Sequence, residues 1–377
     1  MNPTGTVAID PDGQAVLESG PSAEVQKNAA PVRPKVLVVT LRGDPSGGGA
    51  YETMVAECLA SRCEVVRHEL SFGQASVLGC LKAPLGLARM LAAQVHSRDC
   101  AVVIKTFDAA ALNVGGPARA IVMLHHLGSR QKGLYSQIER HIFHRLRRVN
   151  AVVTVSEYWR RRLRAEGLTK VWKVYNGFRL EEFAIPSAAV ESFKRRYGLT
   201  GKPIVYLGSH QEKKGVDESF AALQDLDVHF VASSSVRRHP SIKCLCLNRP
   251  EYLCLLRAAT VVVTMSQFDE GWCRIAHEAM LSGTPAVGSG RGGMRELLES
   301  GGQIVCQDFR SLRSAVENLL CHEERRAELG RAGYDYAKQF TYERFERAWT
   351  RLVDEVGRRP SDNSLTRRNP QQGLISN

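Results

Sequence analysis

Short apolar runs alternate with amphipathic stretches along most of this chain, and the alternation predicts its elements. "PKVLVVT" (34–40) is a β-branched run that reads as a buried strand, and "GGGAYETMVAECLA" (47–60) supplies a glycine-rich turn and a helix. "CAVVIKT" (100–106), "RAIVMLH" (119–125) and "NAVVTVS" (150–156) repeat the strand signal. These runs are continuously apolar, as strands covered on both faces must be, which points to a parallel sheet flanked by helices. In "GLYSQIERHIFHRLRR" (133–148), Leu134, Ile138, Ile142 and Leu146 fall four apart and predict one helix face.

After "VYNGF" (174–178) the pattern changes: residues 179–200 are mixed and charged and end in the turn "YGLTGKP". A second series then begins with "PIVYLGS" (203–209), continues through "VHFVASS" (228–234), "ATVVVTMS" (259–266) and "TPAVGSG" (284–290), and closes with helices near 311–320, 323–338 and 342–356. The expectation is an α/β chain of two Rossmann-like, doubly wound domains facing a cleft. Its parts are a disordered tail 1–34, a first domain 35–180, a linker 181–200, a second domain 201–341, a helix 342–357 crossing back to the first domain, and a second disordered tail 358–377.

A length of 377 residues suits two domains of ordinary size, and 44% hydrophobic residues suffice for two cores. The net charge of +12 favours anionic partners without choosing among them. Nucleic acid is not expected, because Tyr158 and Trp159 are too few aromatics among the basic residues to form a binding module. The ten cysteines include no CxxC pair and no further ligands at zinc spacing, so reduced thiols in a cytoplasmic protein are expected and no metal site is assigned. No apolar run approaches the ~20 residues that span a bilayer, and residues 1–34 lack the basic start and apolar core of a signal peptide.

The chemistry concentrates in "DEGWCRIAHEAMLSGTPAVGSGRGGMREL" (269–297). Strand "VVVTMS" leads to loop "QFDEGW" and to helix "CRIAHEAMLSG", which Gly283 ends and Pro285 follows. The helix therefore starts at the carboxyl end of a strand, where open α/β sheets bind ligands and where free N–H groups favour a phosphate. Glu270 and Glu278 stand eight residues apart, a rise of ~12 Å in continuous helix. That exceeds the ~5–9.5 Å between glycosidase carboxylates, although Glu270 in a loop would escape the comparison. Taken alone, the pair also suits two solvated helix charges.

The whole run resembles the EX7E region of retaining glycosyltransferases of family 4, which have the GT-B fold. Glu270, Gly271, Glu278, "EAMLSGTPAV" and "GGMRE" occupy that pattern in order. "YLGSHQEKKG" (206–215) is similar in spacing to the family's "GRLxxxKG" loop, "VYNGF" to its "PNGVD" turn, "AVVTVSEYWRRRL" to its "vvavSe" strand and helix, and "GGGAYETMVAECLA" to its first glycine loop. The resemblance thus covers most of the folded chain, and it disfavours an epimerase or phosphorylase of the same fold.

The resemblance implies transfer of a sugar, with retention, from a nucleoside-diphosphate sugar to a hydroxyl acceptor, without a cofactor or an essential metal. It implies that Glu278 holds the two ribose hydroxyls and that Glu270 meets sugar hydroxyls, with the backbone N–H groups of Gly271, Trp272 and Cys273. Lys214 would neutralise the leaving diphosphate beside Gly208 and Ser209. His125 and His126 end a strand where the family has a sugar-contacting histidine, and we assign that role to His126; two loop histidines with structural partners give the same pattern. Gly48 and Gly49 would let backbone approach the ligand, or simply make a tight turn.

Two positions depart from the family. Ser209 stands where the loop usually has arginine, and "GWCR" follows the first glutamate. Arg274 is our candidate to supply the missing charge, against the simpler expectation that it points to solvent. Ser209 also keeps open an alternative, a catalytically inactive sugar-nucleotide-binding partner or sensor. Finally, Arg140, Arg145, Arg147, Arg148, Arg160, Arg161, Arg162 and Arg164 crowd two helices of the first domain. They suit peripheral contact with an anionic membrane carrying a lipid-linked acceptor, or a plain solvated face. Polysaccharide, glycolipid and natural-product acceptors all fit.

Overall fold

The computed structural model describes residues 8–9, 15–16, 33–41, 47–70, 91–111, 119–127, 143–211, 213–235 and 239–358. The tails expected at 1–34 and 358–377 lie almost entirely outside these residues, as do 133–142 of the predicted helix at 133–148. Within residues 1–33 the described part is an antiparallel pair, Ala8–Ile9 with Ala15–Val16. All that follows concerns the second unit, Pro34–Asn377.

Its first domain runs β1 (Lys35–Leu41), α1 (Gly47–Ala60), β2 (Glu64–Leu70), β3 (Val102–Thr106), α2 (Phe107–Ala111), β4 (Arg119–Met123), β5 (Ala151–Thr154), α3 (Glu157–Ala165) and β6 (Val171–Lys173). The sheet is parallel throughout, in the order β2-β1-β3-β4-β5-β6. Every residue of β3 and β5 is buried, which explains why apolar residues dominate both, Lys105, Thr106 and Thr154 being the buried polar exceptions. β2 lies at the edge, and its charged "EVVRHEL" conceals it from the apolar pattern while protecting an open edge. Gly47–Gly49, expected in a turn before a helix, form the first turn of α1 itself.

A 3₁₀ turn (Leu180–Phe183) and α4 (Ser187–Arg196) lead into β7 (Ile204–Ser209), α5 (Val216–Leu223), β8 (His229–Ser233), β9 (Ile242–Leu245), α6 (Arg249–Ala258), β10 (Val261–Thr264), α7 (Arg274–Leu281), β11 (Ala286–Gly288), α8 (Gly293–Ser300) and β12 (Ile304–Val305). The second sheet is likewise parallel, in the order β9-β8-β7-β10-β11-β12. α4 packs on α6, and Tyr197 donates its hydroxyl to Glu251 at 2.9 Å.

Helices α9 (Phe309–Cys321), α10 (Glu323–Ala337) and α11 (Tyr342–Arg358) finish the chain. α11 returns to α1 of the first domain. Its apolar stripe, Phe345, Trp349, Leu352, Val353 and Val356, is buried there, each large side chain contributing about 1.5–3 kcal/mol. Trp349 Nε1 donates to the Tyr51 hydroxyl at 3.2 Å, and that hydroxyl donates to the Val174 carbonyl at 2.9 Å. The two passages between domains run side by side: Phe178 N donates to Phe340 O at 3.0 Å and Tyr342 N to Phe178 O at 2.9 Å. A Cβ at Gly177 would stand 2.6 Å from Phe345 Cβ, so only glycine fits there.

Candidate active site

Both sheets point their carboxyl ends at one cleft of about 1110 Å³. From the second domain, Ser209, Lys214, Glu270, Gly271, Trp272 and Cys273 line it, followed along α7 by Arg274 and Glu278. From the first domain, Gly48, Gly49, His125 and His126 line it. Every sequence-selected site residue except Gly208 therefore meets in one place. Gly208 is not on the wall: it turns the chain at φ +83° at the end of β7, close to the Val263 carbonyl.

Glu270 is in the loop before α7, so helix rise does not set its distance from Glu278. Its carboxylate accepts from Lys214 Nζ at 2.7 Å and from the Ser266 hydroxyl at 2.5 Å, both on Oε1. Its carbonyl accepts from Trp159 Nε1 at 2.8 Å and from Gly293 N at 2.8 Å. Four donors, from the loops after β7 and β10, from α3 and from α8, thus fix one residue, and one of them comes from the other domain. The neighbouring glycines make that seam possible. A Cβ on Gly271 would sit 2.6 Å from the His125 carbonyl, and one on Gly293 would sit 2.0 Å from the Gly271 carbonyl. His126 is exposed and its ring lies 5.4 Å from that of Phe268.

Glu278 is 5% exposed and surrounded by donors. Its Oε1 accepts from Arg249 Nη1 at 2.9 Å and Arg274 Nη2 at 3.1 Å, and its Oε2 from the Tyr252 hydroxyl at 2.9 Å. Burial by itself would raise this carboxyl; Arg274 and Arg249 outweigh it and hold the group below its ordinary range. The structure decides against a solvent-facing Arg274. Its side chain is 15% exposed, lies 4.6 Å over the Phe178 ring and donates to Asn176 Oδ1 at 3.4 Å.

One turn along α7, His277 is fully buried between Trp272 and the end of α10. Trp272 Nε1 donates to His277 Nδ1 at 3.0 Å, so Nε2 carries the proton and donates to the Ala337 carbonyl at 3.1 Å. Phe178 stacks on the ring at 4.1 Å. Burial, seconded by Arg274, drives the imidazole down to about 3. Cys273, at φ +72°, begins α7 and leaves its first N–H groups uncapped by side chains; burial pushes its thiol up to about 12, away from the thiolate form.

The arginine-rich α3 is in part an interdomain element. Arg162 Nη1 and the Tyr158 hydroxyl both donate to Asp269 Oδ2 at 2.8 Å, beside Glu270. Glu296 of α8 accepts from Glu157 N at 2.7 Å, capping α3 from the other domain, and also from the Tyr175 hydroxyl. Arg160 and Arg161 pair with Glu157, whose carboxyl Arg160 holds at about 2. Arg147, Arg148, Arg161 and Arg164 are exposed, and Arg140 lies outside the described residues. Among the described residues, no group of three or more His, Cys, Asp or Glu is placed to hold a metal, and no helix is long and apolar enough to cross a membrane.

Sequence reasoning missed Arg249, Tyr252, Trp159 and Asp269. The first had a signal: "NRPE" (248–251) is a helix start, with an Asn248–Glu251 capping box and Pro250 in the first turn, at the carboxyl end of a strand.

Residues 246–336 match the family model described as glycosyl transferases group 1. The chain carries this domain on a GT-B fold. HepE of Anabaena, solved in complex with UDP and glucose, superimposes with a TM-score of 0.73 over 86% of this chain and 100% of its own, at 17% identity. The D-inositol 3-phosphate glycosyltransferase of Corynebacterium aurimucosum is 31% identical over 107 residues, 27% of this chain and 25% of that protein. The GDP-mannose-dependent alpha-mannosyltransferase of Mycobacterium tuberculosis is 27% identical over 204 residues, 51% of each. The chain thus spans a quarter of the first relative's length and about half of the second's.

Proposed function

We propose that the protein is a retaining glycosyltransferase of the EX7E type, resembling family 4. It moves a sugar from a nucleoside-diphosphate sugar to a hydroxyl acceptor in this cleft. The observation that carries the reading is the convergence of Lys214, Glu270, Glu278, His126 and the start of α7 on one cavity between two sheets. The relatives' names and HepE's bound UDP and glucose support a nucleotide-sugar donor.

In this mechanism the bond between sugar C1 and the diphosphate oxygen breaks, and its electron pair leaves on the phosphate. Lys214, Arg274 and the uncapped N–H groups of α7 meet that charge; fixed positive charge at the leaving group is the main catalytic term. Arg274 stands in for the cation that Ser209 does not supply. Lys214 is ion-paired with Glu270 before the donor enters, so the diphosphate takes over the ammonium while Glu270 turns to sugar hydroxyls. The acceptor oxygen attacks from the face the diphosphate leaves, and its proton passes to the departing phosphate. No carboxylate acts as nucleophile, and no cofactor or metal is assigned. Gly48 and Gly49 bring α1 backbone to the ligand, and His126 approaches the sugar from the first domain.

The acceptor is a lipid-linked glycan, a polysaccharide or a natural product, reached in the cytoplasm. Exposed Arg147, Arg148, Arg161 and Arg164 support peripheral contact with an anionic leaflet; flotation with anionic vesicles and not with neutral ones is expected, and equal flotation removes the idea. A binding protein without turnover is the second reading, favoured by Ser209 and by the Lys214–Glu270 pair. A panel of nucleotide sugars separates the two. Slow release of one nucleoside diphosphate, lost in Glu278→Ala, supports the enzyme. Thermal stabilisation by a nucleotide sugar without release, with every acceptor tried, supports the binding protein.

A further inference from the structure

Resting on the donor-site reading above, the geometry at Glu278 points to an unequal reading of the donor's ribose, and we propose that Arg249 sets it. A carboxylate offers about four acceptor directions. Three are taken here: Arg249 and Arg274 on Oε1 and Tyr252 on Oε2. One direction is left, on Oε2, while the vicinal diol of a ribose presents two hydroxyl donors. Only one of them finds a carboxylate oxygen.

Arg249 is the occupant that makes the site narrow. Arg274 and Tyr252 are held by their own elements, Arg274 within α7 and over Phe178, Tyr252 half-buried on α6 with its ring against Tyr206. Arg249 comes from the first turn of α6 and is anchored from behind, its Nε and Nη2 both donating to Glu182 Oε2 at 3.1 and 3.0 Å. Its side chain is 40% exposed at the cleft wall. The guanidinium is therefore stretched between two carboxylates, one from the 3₁₀ turn before α4 and one from α7, and the second anchor keeps it on Glu278. With Arg249 removed, Oε1 regains an acceptor direction and both hydroxyls can be read. Arg249 is thus a specificity-determining residue for the nucleoside part of the donor.

Calorimetry on the full chain tests this with UDP and GDP, each beside its 2′-deoxy and 3′-deoxy form. For whichever base binds, one deoxy form is expected to lose tenfold or more in affinity, as for a bond to a charged acceptor, and the other threefold or less. In Arg249→Met both deoxy forms are expected to lose tenfold or more. Equal losses in the wild type overturn the proposal, as does a preference unchanged in Arg249→Met. The wild-type arm decides without relying on the variant's fold. If neither diphosphate binds, the donor-site reading falls first and the ribose assignment with it.

Discussion

Replacing His277 by glutamine is expected to remove a specific acid sensitivity from the second domain. The imidazole is buried, its Nδ1 accepts from Trp272 and its Nε2 donates to Ala337. A second proton would go to Nδ1, where it would face the Trp272 N–H head-on in a dry site next to Arg274. The group therefore titrates at about 3 in the fold against 6.5 when unfolded. The unfolded chain binds this proton first, so stability from this group is complete above pH 6.5 and is lost as pH falls toward 3. At about 1.36 kcal/mol per pH unit, the loss between pH 7 and pH 4.5 is about 2.5 kcal/mol. Glutamine keeps an acceptor for Trp272 and a donor for Ala337 but takes up no proton. Urea unfolding of both proteins at the two pH values isolates the term, because all other titrating groups are shared. Wild type should lose about 2.5 kcal/mol more than His277→Gln on acidification; equal losses would refute the reasoning. Trp272 follows Glu270 by two residues, so the same protonation should loosen the loop that carries Glu270.

Trp159→Phe removes the indole donor to the Glu270 carbonyl across the domain seam; turnover should fall about tenfold with nucleoside diphosphate affinity within about twofold, as for a positioning bond of ordinary strength, and parallel losses in both would contradict it. Gly293→Ala puts a methyl 2.0 Å from the Gly271 carbonyl and should cost about 1–3 kcal/mol in a denaturant titration, as overpacking does. Tyr51→Phe strands the Trp349 N–H and the Val174 carbonyl where α11 docks and should cost about 2–6 kcal/mol, one desolvation penalty for each orphan; an unchanged midpoint would mean α11 is not held there.

What could be read from the sequence followed from local rules. β3, β5, β7 and β10 were legible because strands covered on both faces are mostly apolar, and each of these opens on a run of at least three apolar residues. β2 was not, since an edge strand carries charge, and β9, "IKCL", is too short and mixed to stand out. Glu270, Glu278 and Lys214 were legible as a spaced pattern. The Lys214–Glu270 pair was not, because it joins residues 56 apart through the fold of the sheet. The α3 arginines looked like one uniform surface charge. Tyr158, Trp159 and Arg162 of that helix instead bond to Asp269 and Glu270, and only the packing of one domain on the other separates Arg162, bound at the seam, from the exposed Arg161 and Arg164. Trp159 was read as a stray aromatic for the same reason.

The proposed reaction releases a nucleoside diphosphate from a sugar in this cleft. The most direct measurement is the rate of diphosphate release from the preferred nucleotide sugar by wild type, Lys214→Ala and Glu270→Gln, with nucleotide affinity measured alongside. Lys214→Ala is expected to lose on the order of 100-fold in kcat, the usual consequence of removing charge stabilisation at the breaking bond, and Glu270→Gln to lose much of its rate with the nucleotide still bound. Release that persists unchanged in both variants would contradict the account and place the chemistry elsewhere.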